Sequence, residues 1–173
     1  MTAIDNTPTN KNFLNPLNFQ FQLKRAPNLN FFIQKVNIPS VAIQLIDIPN
    51  VFNYIPDPGN KVQYGEFTVT FKVDEDLSNY REIHDWLRSL GFPESFAEYK
   101  ALAANAEYTG TGIKSDISLI VLNALKRPNF EITFRDAFPV FLSEVMFDTT
   151  LADVQYVTAT ATFKYLLFDL HKL

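Results

Sequence analysis

Residues 154–168 read VQYVTATATFKYLLF and alternate between apolar and polar side chains. The polar positions at the centre of the stretch are Thr158, Thr160, Thr162 and Lys164. Because successive side chains of a β-strand point to opposite faces, this period of two predicts one long strand with a buried face and a polar face. At about 3.3 Å per residue such a strand approaches ~45 Å. That is longer than a small sandwich requires for itself and is typical of a subunit that builds an assembly.

A second stretch with the same alternation occupies residues 62–73. Its apolar positions include Phe67, Val69 and Phe71, and its polar positions are Glu66, Thr68, Thr70 and Lys72. Threonine is both β-prone and hydrophilic, which suits the outward face of a sheet. The polar rows fit a sheet that faces bulk water and equally a closed barrel that faces a lumen, so both arrangements are open at this point.

Turn residues delimit the remaining predicted strands. Residues 17–25 and 29–38 flank the turn Ala26-Pro27-Asn28 and together predict a hairpin. Residues 41–48 predict a short strand, whereas the prolines that follow predict a long irregular loop over residues 49–60. Further strands are predicted at residues 116–122, 129–135 and 140–147.

One amphipathic helix is predicted over residues 79–90. Its apolar stripe consists of Tyr80, Ile83, Trp86, Leu87 and Leu90, which recur at helical spacing. Asn79 is predicted to cap the helix, and Gly91 with Pro93 is predicted to end it. A shorter helix is expected over residues 95–104, followed by a flexible connection over residues 105–112.

Length and composition predict a single domain with a real core. The chain has 173 residues, of which 47% are hydrophobic, and it contains 17 Phe and 7 Tyr. Residues 1–16 are polar and aperiodic, which predicts a flexible N-terminal arm, and residues 17–173 are predicted to form one β-sandwich domain. The expected fold class is mainly β: an antiparallel sandwich or partial barrel with one packed α-helix.

Most enzyme and cofactor chemistry is disfavoured by the residues available. The chain has 0 cysteines, 2 histidines and 5 glycines, so we expect no catalytic residue, no metal site and no cofactor. The acidic run around Asp74 and Asp76 lacks the glycine and glutamate of a calcium loop, and helix-start capping explains it better. A net charge of -4 gives no reason to expect nucleic-acid affinity. The sequence also predicts no secretory signal and no membrane insertion.

The order of these features resembles the tail tube proteins of contractile-tailed, T4-like bacteriophages. The stretches that carry the resemblance are FFIQKVNIP at residues 31–39, the proline-rich segment, FTVTFKVD at residues 67–74, the helix from Tyr80 to Leu87, Ala137-Phe138-Pro139, the strand through Phe147-Asp148, and VTATATFKY at residues 157–165. The likeness covers roughly residues 17–168.

The resemblance implies a structural protein rather than an enzyme. Six subunits would form a ring whose strands close into a multi-subunit β-barrel, and stacked rings would form the conduit for genome delivery. The candidate lumen-facing residues are Glu66, Thr68, Thr70, Lys72, Thr158, Thr160, Thr162 and Lys164. The candidate inter-ring loop consists of Val51, Phe52, Asn53, Tyr54 and Ile55, and the N-terminal arm is a second candidate for ring-to-ring or sheath contacts.

The resemblance also implies a location and a set of partners. The protein would be made in the host cytoplasm and reside in the tail of the virion. Its partners would be further copies of itself and the sheath, baseplate, tape-measure and tail terminator proteins. DNA would pass through the lumen without specific binding, because phosphate is bound mainly by clustered Lys and Arg.

Two other functions are compatible with the same sequence features. A baseplate initiator or tail adaptor of the same fold would stop at one ring layer. A ligand-binding β-sandwich would instead be a stable monomer with a formed pocket, and Phe52, Tyr54 and Ile55 would lie in its binding loop.

Overall fold

The structure is a computed structural model that describes residues 11–104, 112–150 and 155–173. Its strands are β1 (Phe19–Leu23), β2 (Ile33–Val36), β3 (Val41–Pro49), β4 (Tyr54–Tyr64), β5 (Phe67–Lys72), β6 (Ser115–Leu122), β7 (Pro128–Leu142), β8 (Thr158–Lys164) and β9 (Leu167–Lys172). Its helices are α1 (Pro27–Phe31), α2 (Ser78–Gly91) and α3 (Phe96–Ala103). The predicted fold class is confirmed: the chain is mainly β, its strand pairs are antiparallel, and α2 packs on the sheets.

Two layers of strands are joined through β7, which has 15 residues. The first layer, sheet A, contains β1, β6, the first part of β7 and β9. The second layer, sheet B, contains the last part of β7 together with β8, β5 and β2. Asp136 lies where β7 changes partners, and its positive φ of 55° turns the strand from one layer into the other. Within the described ranges the sheets do not close into a barrel: β1 and β9 are the edges of sheet A, and β2 and the last part of β7 are the edges of sheet B.

Phenylalanine rings fill the space between the layers. Phe67, Phe134 and Phe163 have 0% exposure, and the Phe67 and Phe134 ring centroids are 4.2 Å apart. On β5 each apolar position is buried and each polar position is half-buried, as the alternation predicted. This confirms the predicted inward face of β5.

Helix α2 agrees closely with its prediction, but its ends are built differently. Asn79 does not cap the helix: its amide is buried and donates to the Lys72 carbonyl at 2.8 Å, which ties the helix start to the end of β5. Leu77, with a φ of 57°, occupies the cap position instead. Gly91 lies inside the last turn, and Phe92, with a φ of 34°, ends the helix.

Two strand predictions are wrong, the first because it assumed that neighbouring segments pair with each other. Residues 17–25 and 29–38 do not form a hairpin: helix α1 replaces the turn, β1 pairs with β6, and β2 pairs with β5. Proline is well suited to a first helical turn, where its missing N–H removes no intrahelical bond. The long strand predicted over residues 154–168 is also divided, because β8 ends at Lys164 and β9 begins at Leu167. The long strand of this fold is β7.

Other predicted segments have mixed outcomes. Helix α3 confirms the shorter helix, with the Ser95 hydroxyl accepting from the Ala97 N–H at 3.3 Å. Residues 105–111 of the predicted flexible connection and residues 1–10 of the predicted arm lie outside the described residues. The described remainder of the arm, residues 11–16, is exposed.

A carboxyl group between α2 and α1 makes stability dependent on pH. Glu82 Oε1 accepts from Asn28 Nδ2 at 2.8 Å, and burial raises the pKa of Glu82 above its ordinary value of 4.5 against the opposing effect of the Asn28 and Leu29 hydrogen bonds. A raised folded-state pKa means that protonation favours folding, so this contribution is present below pH 4.5 and lost as the pH rises through the folded-state value.

Glu82→Gln should therefore gain stability relative to the wild type as the pH rises from acid to neutral. Glutamine keeps the oxygen that accepts from Asn28 but does not ionise. The check is chemical denaturation of both proteins across that pH range, in which the difference in unfolding free energy should change. A constant difference would contradict a raised pKa at this carboxyl.

Candidate assembly surfaces

The first surface is a hairpin that stands apart from both layers. Strands β3 and β4 pair with each other from Val41 opposite Tyr64 to Pro49 opposite Tyr54, and neither has another partner strand among the described residues. The prediction of an irregular loop over residues 49–60 is therefore wrong. Its prolines are accommodated because each strand of a lone hairpin has a free edge, where a missing N–H interrupts no ladder.

Large apolar side chains are exposed along this hairpin. The exposed set on β3 and β4 is Val41, Ile43, Leu45, Ile46, Ile48, Tyr54, Ile55 and Val62. At the turn between them, Val51 is 88% exposed and Phe52 is 95% exposed. A two-stranded hairpin is marginally stable in water by itself, and a contiguous apolar surface of this kind marks an interaction site. The predicted inter-ring residues 51–55 thus lie at the end of a protruding apolar element. We call residues 50–55 the hairpin tip.

The hairpin bends at an irregularity that requires glycine. Between the pairs Ile43 with Val62 and Leu45 with Pro58, β3 has only Gln44 where β4 has three residues. A Cβ on Gly59, one of those three, would overlap the carbonyl oxygen of Gln44. Only a residue without a side chain allows the two backbones to approach this closely.

Gly59→Ala should weaken or shift the pairing of β3 with β4. The free energy of unfolding of the two packed sheets should not change. The expected result is faster hydrogen exchange at the β3 and β4 amides, since their register depends on the bend. Gly91→Ala is the matched control, because a Cβ there meets nothing within 4 Å. Unchanged exchange in the hairpin of Gly59→Ala would contradict a role for the close approach.

An aromatic cluster attaches the base of the hairpin to the two packed sheets. The Tyr165 hydroxyl donates to the Gly65 carbonyl at 2.9 Å, and the Tyr64 ring lies 6.0 Å from Tyr165 and 5.5 Å from Phe168, between centroids. Burial, with a smaller contribution from Tyr64, raises the pKa of Tyr165 to about 12. The Gly65 N–H also donates to the Ser40 carbonyl at 2.8 Å. The direction in which the hairpin leaves sheet B is therefore set by packed rings as well as by the backbone.

The second surface is the outer face of sheet B, where all eight candidate lumen residues come together. Strands β5 and β8 are neighbours, and their register places Thr68 opposite Thr162 and Thr70 opposite Thr160. We call this set the polar face; its members are Glu66, Thr68, Thr70, Lys72, Thr158, Thr160, Thr162 and Lys164. Residues directly opposite in an antiparallel ladder share one face, so two rows predicted separately form one continuous surface.

Contacts across the polar face order its side chains. Lys164 Nζ lies 3.0 Å from Glu66 Oε1, and the hydroxyls of Thr70 and Thr160 are 3.4 Å apart. At the other end of the ladder the Lys72 ammonium lies 4.3 Å from the centroid of the Tyr156 ring. Thr162 is buried in the single chain at 8% exposure, with Phe141 of β7 opposite it in the ladder. The rest of the face combines threonine hydroxyls with one neutralised and one aromatic-bound ammonium group.

Sequence reasoning missed one cation beside the polar face. Lys35 on β2 lies opposite Thr70 in the ladder between β2 and β5. No local pattern identified it, because its membership of this face depends on which strand β2 pairs with.

No feature of the described residues indicates catalysis or metal binding. Residues 11–104, 112–150 and 155–173 contain no group of three or more His, Asp or Glu side chains that could hold a metal ion. His84 lies beside Asp85 on the exposed side of α2, with 3.2 Å between ring nitrogen and carboxylate. None of the helices described is both long and apolar enough to cross a membrane.

Comparison with known proteins identifies one family and several chains of similar fold. The family model for phage tail tube proteins matches residues 4–170. A chain from the tube-terminating cap of the anti-feeding prophage superposes with a TM-score of 0.63 at 16% identity, with 100% of both chains covered. A chain from the sheath–tube complex of the extracellular contractile injection system PVC gives 0.60 at 13% identity, with 94% of both chains covered. A chain from the sheath/tube terminator of PVC gives 0.58 at 16% identity, covering 94% of this chain and 99% of the other. A search of the curated proteins found no match.

Proposed function

The chain belongs to the phage tail tube protein family, and on that premise we propose that it forms hexameric rings that stack into the tube of a contractile tail and deliver the genome. Membership of this family makes it a structural component of a virion tail and not an enzyme. The hexameric ring, the stacking and the passage of DNA are the parts proposed here. Synthesis in the host cytoplasm is part of the same proposal.

The observation that carries the proposal is that sheet B has an open edge on each side. In the described part of the chain, β2 pairs only with β5, and residues 138–142 of β7 pair only with β8. Open edges present unpaired backbone groups and invite strand addition. Pairing β2 of one copy with the end of β7 of the next would use both edges and continue sheet B from subunit to subunit until a ring closes.

The same geometry supports the choice of face that would line the channel. The inner face of sheet B is covered by the core, sheet A and α2, and Trp86 of α2 lies 6.2 Å from Phe163 of β8, between centroids. A face that is already packed against the rest of its own subunit cannot line an open channel. That leaves the opposite side of the sheet, the polar face, to line the lumen.

Passage of DNA without specific binding would follow from the chemistry of this face. Its central groups are threonine hydroxyls, and Glu66 neutralises Lys164. Lys72 adds positive charge at the end of the ladder and Lys35 adds it at the edge. Because this face is not acidic, weak retention of DNA would come from its few unpaired cations and not from the net negative charge of the chain. We expect short duplex DNA to be retained by tubes only at low ionic strength, since phosphate binding weakens steeply with salt.

The hairpin is proposed as the contact between successive rings. It exposes large apolar side chains along both of its strands and lies at one end of sheet B. The sheath, baseplate, tape-measure and terminator proteins are the further partners proposed from the family. The N-terminal arm, residues 1–16, is proposed as an additional contact segment, and residues 17–173 as the single domain.

The experiment is negative-stain electron microscopy across a concentration series together with light-scattering mass. Hollow tubes support the proposal, whereas isolated single rings favour a baseplate initiator or adaptor. A particle that stays monomeric at high concentration and binds a small ligand would favour the β-sandwich module instead.

Ring size can be measured separately because the chain has no cysteine. A double variant Gln34→Cys/Val140→Cys places one thiol on β2 and one on the end of β7. Oxidation should give a ladder of covalent oligomers ending at the hexamer. Each single variant is the control and cannot exceed a dimer. A ladder that ends at another number would contradict six-fold symmetry.

A further inference from the structure

We propose that an apolar groove at the end of sheet B opposite the hairpin receives the hairpin tip of a second copy. This inference rests on the proposed function and assigns the receiving surface for the ring-to-ring contact. The groove has a volume of about 530 Å³, and its apolar lining includes Phe32, Val73, Leu77, Val145, Phe147 and Tyr156. Phe147 is 80% exposed and Tyr156 is 75% exposed, so large apolar side chains are uncovered here as they are on the hairpin.

Strand directions place the groove and the hairpin at opposite ends of the same sheet. The groove lies where β2 begins, β5 ends and β8 begins, because Phe32 precedes β2, Val73 follows β5 and Val157 precedes β8. β5 lies between β2 and β8 and runs antiparallel to both, so those three termini lie at the same end of the sheet. The hairpin leaves sheet B where β2 ends and β5 begins. A second copy displaced along the strand direction therefore presents its hairpin end to the groove.

The backbone of the tip is prepared for burial. The Asn50 N–H donates to the Asn53 carbonyl at 3.0 Å, and the side-chain oxygens of Asn50 and Asn53 accept from the Val51 and Tyr54 N–H groups at 2.7 and 2.8 Å. These bonds satisfy backbone donors that would otherwise be costly to bury in an apolar groove. The two residues at the point of the turn, Val51 and Phe52, present large exposed apolar side chains beside these satisfied donors.

The tip itself carries no formal charge, and the nearest acids of the hairpin, Asp47 and Asp57, lie behind it on β3 and β4. The tip, residues 50–55, contains no ionisable group other than the phenol of Tyr54. The rim of the groove carries Asp74 and Glu75, and Lys72 lies over the Tyr156 ring. An acidic tip would be repelled by this rim, whereas an uncharged tip with two asparagines is not.

A contact of this kind propagates. The donating and the receiving surface are different parts of the chain, so joining two copies leaves a free tip at one end and a free groove at the other. Continued stacking is the outcome of such a head-to-tail contact. A subunit with both surfaces therefore suits the repeating tube better than a layer that ends it.

The test is disulfide formation between two single-cysteine variants, one at the tip and one in the groove. Phe52→Cys is mixed with size-tagged Gln155→Cys, because Gln155 lines the groove and is exposed. The expected result is at least about a tenfold higher yield of mixed dimer than for Phe52→Cys with tagged His84→Cys, which places the thiol on the exposed side of α2. The double variant Phe52→Cys/Gln155→Cys should give covalent chains that continue beyond six subunits.

The outcomes separate this inference from the proposed function. Equal yields with the Gln155→Cys and His84→Cys partners, in samples where microscopy shows stacked rings, would overturn the groove and leave the tube standing. The absence of rings and of stacks under oxidising and reducing conditions alike would overturn both. A second variant, Phe147→Asp, changes an exposed residue of the groove, keeps the tip intact and should form rings that do not stack; stacking equal to the wild type would also overturn the groove.

Discussion

Alanine in place of Trp86 should lower the free energy of unfolding by about 3–5 kcal/mol, the cost typical of removing a buried large aromatic side chain. The indole is 2% exposed, and its N–H donates to the Ile113 carbonyl at 2.9 Å. The Arg25 guanidinium lies 4.7 Å from its ring centroid. Truncation would leave a cavity next to Phe163, a carbonyl without this donor and an arginine without its ring. Against a total stability of roughly 5–15 kcal/mol for a domain, this is a large fraction.

The measurement is chemical denaturation followed by circular dichroism. Fluorescence is unsuitable because Trp86 is the only tryptophan in the sequence. His84→Ala on the exposed side of the same helix is the control and should change stability by no more than about 0.5 kcal/mol. A Trp86→Ala variant as stable as that control would mean that α2 does not depend on the indole for its attachment to the sheets.

Phe52→Asp should abolish stacking of rings without changing the stability of the subunit. The side chain is 95% exposed in the single chain, so its replacement removes almost no internal contact. At a ring-to-ring contact the same change would require a carboxylate to be buried against apolar side chains, which is unfavourable without a partner. A loss of about 2 kcal/mol at one contact, the scale of an interface hot spot, is repeated at every subunit of the ring. The combined effect should leave rings in solution and no tubes.

Electron microscopy and light scattering of Phe52→Asp beside Phe52→Leu provide the comparison. Leucine keeps an apolar tip and should still support stacking. The free energy of unfolding of both variants should match that of the wild type within about 0.5 kcal/mol. Tubes of wild-type length from Phe52→Asp would contradict the placement of the tip between rings.

The strand faces were predictable because side-chain alternation is a local property. The apolar residues of β5 and the central apolar residues of β8 are buried as their period of two required. Helix α2 was predictable for the same reason, since Ile83 and Trp86 recur at helical spacing and both are buried. Where prediction failed, the outcome depended on distant partners. Strand β1 pairs with β6, about a hundred residues away, and nothing in residues 17–38 identifies that partner.

The prolines of the hairpin illustrate how context reverses a local rule. Pro49, Pro56 and Pro58 favoured an irregular loop, yet all three lie within paired strands. The rule against proline holds inside a sheet, where both edges of a strand are paired. Strands β3 and β4 have one paired edge each in the described structure, so proline is tolerated there. Tertiary structure, and not the local sequence, therefore determines how far the hairpin extends and in which direction.

By itself the sequence determined which residues are buried on β5 and α2, that the fold is mainly β, and which family the chain resembles. These properties follow from periodicities and an order of elements that are carried along the chain. Tertiary structure alone decided that the polar rows of β5 and β8 form one face, that Lys35 lies beside it, and that the hairpin tip and the apolar groove lie at opposite ends of sheet B. The physical reason is that strand pairing joins residues far apart in the chain through backbone hydrogen bonds, which are the same for every residue except proline and therefore leave little trace in the sequence.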